Sequence, residues 1–433
     1  MKNLKNTYSE LPKEFHRSIN PTPVSKPKFL CLNRELANEL FIDTADENKL
    51  LQYFSGNEVP GDSSTIAMAY AGHQFGNFVP QLGDGRAILL GELYDKEKKL
   101  NDIQLKGSGV TAFSRQGDGR SAIGPVIREF ILSEAMHAMN IPTTRALAAV
   151  YTGENVSREA PVKGGILTRV SNSLIRVGTF EFFRARQDLE NLKVLADFTI
   201  NRLYPKISDE ENKYLLLFEA ISEKQSTLIS KWMSIGFIHG VMNTDNFSVS
   251  GETIDYGPCA FMEAYNPDTV FSSIDRHGRY KYSNQPKIAL WNLSCLAGCL
   301  LPIIEGNESE KEEAIRDSLG NFSKDINSKI NRTMTEKVGL EETKESNDLV
   351  KELLSIMHKN SADFTLTFRS LSSAIGSKDD DFLVCFSNAE EPKDWLKKWK
   401  KMIHQKSEKT ENTIHNLNSM NPIYIPRNHL SER

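Results

Sequence analysis

Asp245, Asn246 and Asp255 form the densest set of metal- and proton-binding side chains in this sequence, within His239-Gly-Val-Met-Asn-Thr-Asp-Asn246 and Asp255-Tyr-Gly257. Mg2+ requires hard oxygen ligands, takes few of them from protein carboxylates, and completes its shell with water and nucleotide phosphates. Asn246 and Asp255 suit that role. Asp245, between Thr244 and Asn246, can remain ionised among polar groups and accept the proton of a hydroxyl. His239, after Gly236-Phe-Ile238, reads as structural.

Two glycine strings could meet phosphates. Gln81-Leu-Gly83-Asp-Gly85-Arg86 precedes an apolar strand, and Gln116-Gly-Asp118-Gly119-Arg120 repeats its G-D-G-R. Glycines there admit close backbone approach, so amide N–H groups and an arginine can reach phosphate oxygens. Lys106 ends a predicted strand, and Glu129 lies on the predicted helix that follows. A Lys–Glu pair across a cleft would aim the ammonium at phosphate as a point charge. Arg169 and Arg176 have apolar neighbours and need an anion; from the residues alone, a structural carboxylate is favoured over a bound phosphate. His73 has no second His or Cys at metal-ligand spacing and reads as a loop anchor, and Cys295 and Cys299 read as core. No G-x-S-x-G, H-E-x-x-H or Walker A string occurs.

These groups need elements to hold them. Ala87–Leu93 and Asp102–Gly107 read as strands joined by the charged turn Tyr94–Leu100. Apolar residues from Ile123 to Asn140 follow a helical period that Pro142 ends. Helices are expected at Leu192–Asn201, Lys213–Phe237, Ile288–Leu301, Asn347–Lys359 and Pro392–Gln405. Residues 1–60 look irregular, an extended segment lying on a domain. The charged runs Glu305–Glu313, Glu336–Glu345 and Lys378–Asp381 read as solvated helix faces and loops, and Trp395 and Trp399 as the core side of a helix. The expected architecture is α+β and bilobal: a strand-rich lobe over residues 1–185 and a mainly helical lobe over 186–433.

Composition narrows the classes. The 433 residues, 39% hydrophobic, can bury one large core or two lobes. A net charge of −4 does not call for nucleic acid or an anionic membrane. Five scattered cysteines without C-x-x-C spacing fit a reduced compartment, and residues 1–27 lack the apolar region of a secretory signal, so a cytoplasmic location is expected. The apolar stretch Ile288–Ile304 includes Asn292, Ser294 and Pro302 and reads as a buried helix.

Set beside the protein-kinase catalytic loop H-R-D-x-x-x-x-N and the later D-F-G, His239, Asn246 and Asp255-x-Gly257 have counterparts, but Val241 stands where a kinase keeps its catalytic aspartate. Six strings resolve the mismatch: Ala71-Gly-His-Gln-Phe-Gly76, Gln81-Leu-Gly-Asp-Gly-Arg86, Gln104-Leu-Lys-Gly-Ser-Gly109, Gln116-Gly-Asp-Gly-Arg120, Gly240-Val-Met-Asn-Thr-Asp-Asn246 and Ile254-Asp-Tyr-Gly-Pro258. They closely resemble the selenoprotein O family (SelO, also called YdiU) from about Pro21 to Arg427. The resemblance implies a protein-kinase-like fold that binds ATP in a flipped orientation and transfers AMP to protein hydroxyls. It implies nucleotide contacts at Gly83, Gly85, Arg86, Lys106, Asp118, Gly119, Arg169, Arg176 and Asp255, with Glu129 bridging Lys106. It further implies Asp245 as proton acceptor, Asn246 and Asp255 as ligands of Mg2+ (or Mn2+), protein substrates, and a monomer. Relatives often carry redox cysteines near the carboxy terminus and after the metal loop. Phe271–Arg276 and the residues beyond Cys385 have none, so that regulation is not expected. Alternatives are a UTP- and Mn2+-dependent transferase and a silent nucleotide-binding scaffold; Val241 disfavours γ-phosphoryl transfer.

Overall fold

The computed structural model describes residues 1, 4–61, 63–376, 378–405 and 409–431; Glu432 and Arg433 of the carboxy-terminal segment lie outside them. The chain begins with β1 (His16–Ser18), β2 (Lys28–Leu32), α1 (Arg34–Glu39), α2 (Glu47–Phe54) and β3 (Ile66–Met68). A small hairpin of β4 (Gly72–Gln74) and β5 (Asn77–Val79) follows. Next come β6 (Ala87–Tyr94), β7 (Leu100–Lys106), β8 (Ser121–Ala122), α3 (Ile123–Ala138), β9 (Arg145–Ser157) and β10 (Pro161–Ser171). Apart from the hairpin, the strands make one eight-stranded antiparallel sheet in the spatial order β1-β3-β6-β7-β10-β9-β2, with β8 beside β10.

The β6–β7 pair, its charged turn and α3 match the sequence expectation closely. The helix stops at Ala138, before Pro142 has any part in it. Asn140 takes a left-handed conformation (φ 58°) and Ile141 N–H returns to the Met136 carbonyl, which closes the helix end. Residues 1–60 depart from expectation, because β1 and β2 are the two outer strands of the sheet and α1 and α2 cover one of its faces. Strands this short, half exposed and without apolar alternation, join through backbone pairing alone and leave no periodic signal. The long strands β9 and β10 were also not anticipated. Their middles are buried on both faces, so they read as continuous apolar runs rather than alternating ones.

Both sheet faces are covered, and consecutive residues of β6 show it. Leu90 packs with Leu36 of α1 and with Leu50 and Phe54 of α2, whereas Leu89 points into the core shared with the helical half. That half comprises α4 (Val177–Ala185), α5 (Leu189–Leu203), α6 (Lys213–Ile235), α7 (Gln285–Leu300), α8 (Glu308–Lys337), α9 (Lys344–Asn360), α10 (Phe364–Ile375), α11 (Asp379–Leu383), α12 (Glu390–His404) and α13 (Thr410–Met420). The fold is therefore α+β, a strand-rich first part and a helical second part. The region Tyr282–Ile303 is long and apolar enough to cross a membrane by length and composition, yet its helix α7 packs against α4, α6 and α8. Asn292 donates from there to the Met242 carbonyl at 3.0 Å, bracing the loop that carries Asp245. Trp395 and Trp399 are fully buried on α12, as expected. The charged run expected to be solvated from Glu305 begins the unanticipated α8, whose narrow stripe of Ile315, Phe322 and Ile326 joins the core.

A buried ionic triad joins the two parts. Arg202 of α5 bridges Glu92 of β6 and Asp102 of β7, the latter at 2.5 Å. Asp102 also accepts from Leu174 N–H at 2.8 Å, and Glu92 from Thr7 N–H at 2.8 Å. Removing the cation would leave two carboxylates uncompensated in the interior. We expect Arg202→Met to cost about 3–5 kcal/mol, read as a lowered urea midpoint.

Candidate active site

The segment between β3 and β6, the end of β7, the 113–120 turn and the 241–258 loops enclose a cleft of about 860 Å3. Gly83, Gly85, Arg86, Lys106, Asp118, Gly119, Arg169, Arg176, Asp245, Asn246 and Asp255 all line it. The sequence thus identified one place, although its residues come from distant parts of the chain. Glu129 stands behind this wall on α3.

Register explains the central cluster. Arg169 of β10 pairs opposite Gln104 of β7, and Lys106 lies two residues beyond Gln104 on the same face. Lys106 Nζ contacts Glu129 Oε2 at 2.8 Å and Asp255 Oδ1 at 2.5 Å. Arg169 Nη2 reaches Glu129 Oε1 at 2.5 Å and Asp255 Oδ1 at 2.6 Å. Arg176 Nη1 lies 3.5 Å from Asp255 Oδ2. Burial alone would raise the Asp255 and Glu129 pKa values. Arg169 and Lys106 outweigh it and hold both carboxyls below their ordinary range, Asp255 well below. Asp84 closes the far side, accepting from Gln104 Nε2 at 3.1 Å and Met68 N–H at 3.2 Å, with its own pKa raised by burial.

Arg169 and Arg176 both have protein partners, as the residues alone suggested, and both also face the cleft. Arg176 stands at the start of α4 with its guanidinium 4.4 Å from the Tyr70 ring centre, and donates to the Asp245 carbonyl at 3.1 Å. That bond fixes the main chain of the loop that carries Asp245.

Asp245 lies on a single turn, Thr244–Asn246, and is 8% exposed. Its polar neighbours do not keep it an ordinary carboxyl. Burial pushes its pKa up to about 6, against the opposing pull of Arg176. Gln74 Nε2 approaches Oδ2 at 3.4 Å, while Oδ1 is buried without a hydrogen-bond partner among the described residues. A free carboxylate oxygen with a pKa near neutrality suits the acceptance of a proton. Asn246 donates Nδ2 to the Val241 carbonyl at 3.1 Å, leaving its amide oxygen for another partner. Asp255 takes a left-handed backbone (φ 61°) at the entry to its loop. The oxygen set of Asn246 and Asp255 fits a hard divalent cation such as Mg2+ or Mn2+.

His239 is buried and neutral, its pKa lowered by burial, and its Nε2 bonds the Ile254 carbonyl at 2.8 Å, a structural role as expected. His73 anchors the β4–β5 hairpin. Its N–H donates to Thr244 Oγ1 at 2.6 Å, and its ring Nδ1 meets Glu181 Oε1 at 2.5 Å. Sequence spacing gave His73 no metal-type companion, yet folding brings Glu181 of α4 and Cys295 of α7 to it, with one ligand-type atom from each within 4.8 Å of the others. Burial pushes the Cys295 thiol up to about 12, so it is protonated.

Sequence reasoning missed Arg115 and Arg158, exposed cations on the cleft rim; Arg158 holds Asp118 at 2.8 Å. Arg115 sits immediately before the second glycine string and was legible there. The arginine that completes that string, Arg120, donates to the Thr22 and Pro23 carbonyls at 3.1 Å each and so tethers the amino-terminal segment. Arg128, next to Glu129 on α3, donates to the Gly257 carbonyl at 2.5 Å and to Asn428 Oδ1 at 2.9 Å, tying α3 to the loop after Asp255 and to the carboxy-terminal segment.

A phosphate-sized nest of cations, an acidic pair on adjoining loops and a buried candidate base are the equipment of nucleotidyl transfer, and comparison with known proteins agrees. The family model described as "Protein adenylyltransferase SelO" matches residues 1–433. The chain is 49% identical over 429 residues to the protein nucleotidyltransferase YdiU of Maridesulfovibrio salexigens, covering 99% of this chain and 87% of that one. It is 50% identical over 430 residues to the protein of the same name from Agrobacterium fabrum, covering 99% and 88%. The chain is a nucleotidyltransferase. It belongs to the SelO family.

Gly72 tests how tightly Asp245 is held. A Cβ added there would lie 2.9 Å from Asp245 Oδ1 and 3.0 Å from its Cβ. Displacing a catalytic group by about 1 Å can cost ~10²-fold. Gly72→Ala is expected to lower turnover by about that factor with nucleotide affinity nearly unchanged, measured by steady-state transfer beside equilibrium nucleotide binding.

Proposed function

We propose that this enzyme transfers AMP from ATP to Ser, Thr or Tyr hydroxyls of protein substrates and releases pyrophosphate, on a bilobal kinase-like arrangement with lobes at 1–185 and 186–433. The observation that carries the reading is Asp245: a buried carboxylate with one unpartnered oxygen, in the cleft that holds Lys106, Arg169 and Arg176, while Val241 occupies the kinase base position.

The acceptor hydroxyl oxygen attacks the α-phosphorus, its proton passes to Asp245 Oδ1, and the bond from that phosphorus to the bridging oxygen breaks. Pyrophosphate leaves with the bonding electrons. The leaving group carries more charge than the product of a γ-transfer, so it needs cations close by. Lys106, Arg169 and Arg176 supply them from a rigid, largely dry wall, and Arg86 and Arg115 add exposed cations at the mouth. Gly83 and Gly85 let the main chain approach the nucleotide; a Cβ on Gly83 would strike the Phe113 ring at 2.4 Å. Asn246 and Asp255 would hold Mg2+ or Mn2+, which neutralises phosphate charge when bound. Glu129 keeps Lys106 and Arg169 apart and oriented.

ATP labelled on the α- or the γ-phosphate tests the reaction. Label retained on protein only from α-labelled ATP, with an AMP-sized mass gain lost in Asp255→Ala, is the expected result. Label only from γ-labelled ATP would restore a kinase, none from either a scaffold, and preferential use of α-labelled UTP the uridylyl reading. Asp245→Asn should lower turnover by roughly 10²–10⁴-fold while nucleotide still binds.

The pH dependence has a definite sign. With its pKa raised to about 6, Asp245 is protonated and inactive as a base at pH 5 and ionised above 7. The rate at limiting acceptor should therefore fall as pH drops through about 6, as a pH–rate profile will show.

A further inference from the structure

Arg279 is a cation without a matching anion. Its Nε and Nη2 are buried with no hydrogen-bond partner, and no carboxylate lies within ion-pair distance among the described residues. The guanidinium lies 4.5 Å from the Trp291 ring centre and 5.7 Å from that of Tyr280, packed against aromatic rings. Its backbone is equally fixed, since Asp275 accepts from Arg279 N–H at 2.9 Å and from Tyr280 N–H at 2.8 Å. Guanidinium cannot lose its proton, and burying its N–H groups unpaired is costly. Among the described residues Nη1 is neither hydrogen-bonded nor buried on this half-buried residue, and such a guanidinium N–H is a charge-assisted donor to a carboxylate.

The position says where the anion comes from. The β4–β5 hairpin stands between Arg279 and the nucleotide cleft. Gln74 faces the cleft and Asp245, whereas at Gly76 the first atoms a Cβ would meet are Arg279 Cζ and Nη1, at 3.6 Å. Arg279 does not line the cleft that holds Lys106 and Arg176, so the triphosphate is not its partner. It is nevertheless coupled to the base loop. Tyr280 OH donates to Asn243 Oδ1 at 2.6 Å, and Phe75 N–H donates to the same oxygen at 3.0 Å. The exposed Ile274, Arg276 and His277 on the same loop give an incoming chain an apolar contact and further positive charge.

We propose that Arg279 is an acceptor-specificity residue: it binds the carboxylate of a Glu or Asp close in sequence to the hydroxyl that is modified, so the preferred substrates are acidic segments of proteins. The proposal rests on the transferase reading above. Gly76 and Trp291 pack against the guanidinium, and Nη1 is the nitrogen left to meet that carboxylate.

The test uses the full chain and two peptides with one acceptor hydroxyl, flanked by Glu in one and by the isosteric Gln in the other. Transfer is measured for wild type, Arg279→Gln and Arg279→Lys, with melting curves to show that each is folded. Peptide binding without nucleotide is followed separately by fluorescence polarisation. A charged hydrogen-bonded pair predicts a preference for the Glu peptide of about ten-fold in kcat/KM. It should reside mainly in KM, vanish in Arg279→Gln and be partly kept by Arg279→Lys, with ATP affinity unchanged throughout. Equal transfer to both peptides by wild type, or a preference that survives in Arg279→Gln, overturns the proposal and leaves the transferase reading standing. A binding preference for Glu that Arg279→Gln removes, without any transfer, supports the anion site and sinks the transferase reading. Failure of both peptides to bind and to be labelled overturns the anion site.

Discussion

The buried meeting of Lys106, Arg169 and Arg176 with Glu129 and Asp255 is the constraint on which the rest depends. Each of these charges, alone in the interior, would be strongly destabilising; together they satisfy one another. No single element can supply the set. β7 brings Lys106, α3 brings Glu129, β10 brings Arg169, the start of α4 brings Arg176, and the loop after β11 (Phe237–Ile238) brings Asp255. Sheet, helix and loop must therefore adopt one mutual arrangement, and the cleft is the open side of that arrangement. The same ions that hold the fold together also present positive charge to the cleft, so structural and electrostatic roles cannot be separated residue by residue here.

Asp245 follows the opposite logic. It sits beside the cluster without joining it, and Arg176 touches its carbonyl rather than its carboxylate. Asp255, crowded by cations, is held ionised at any ordinary pH, while Asp245 is left poised near neutrality by burial. Two aspartates ten positions apart in the chain thus acquire different chemistry from their surroundings alone.

What the sequence revealed follows from how each feature is encoded. Lys106, Glu129, Asp245, Asn246 and Asp255 were legible because strand, helix and loop motifs place chemistry at fixed spacings, and the β6–β7 pair and α3 carry clear periodicity. β1 and β2 were not, because edge strands need only backbone partners. β9 and β10 were hidden by burial on both faces, which erases alternation. The grouping of His73, Glu181 and Cys295 was invisible for another reason: three elements far apart in sequence converge, and no local pattern records it. Arg279 belongs to the same class, its unpaired state being a property of its surroundings rather than of its neighbours in the chain.

The ion cluster also has a consequence for how the molecule comes into being. The contact between Lys106 and Asp255 closes a loop of 149 residues, and that between Arg169 and Asp255 one of 86. Ordering such spans costs chain entropy that only late contacts repay, so pairings of this kind complete slowly. Until they do, Lys106 and Asp255 remain apart. A partly folded copy consequently lacks the assembled cleft, and the capacity for nucleotidyl transfer arrives only with the finished tertiary structure.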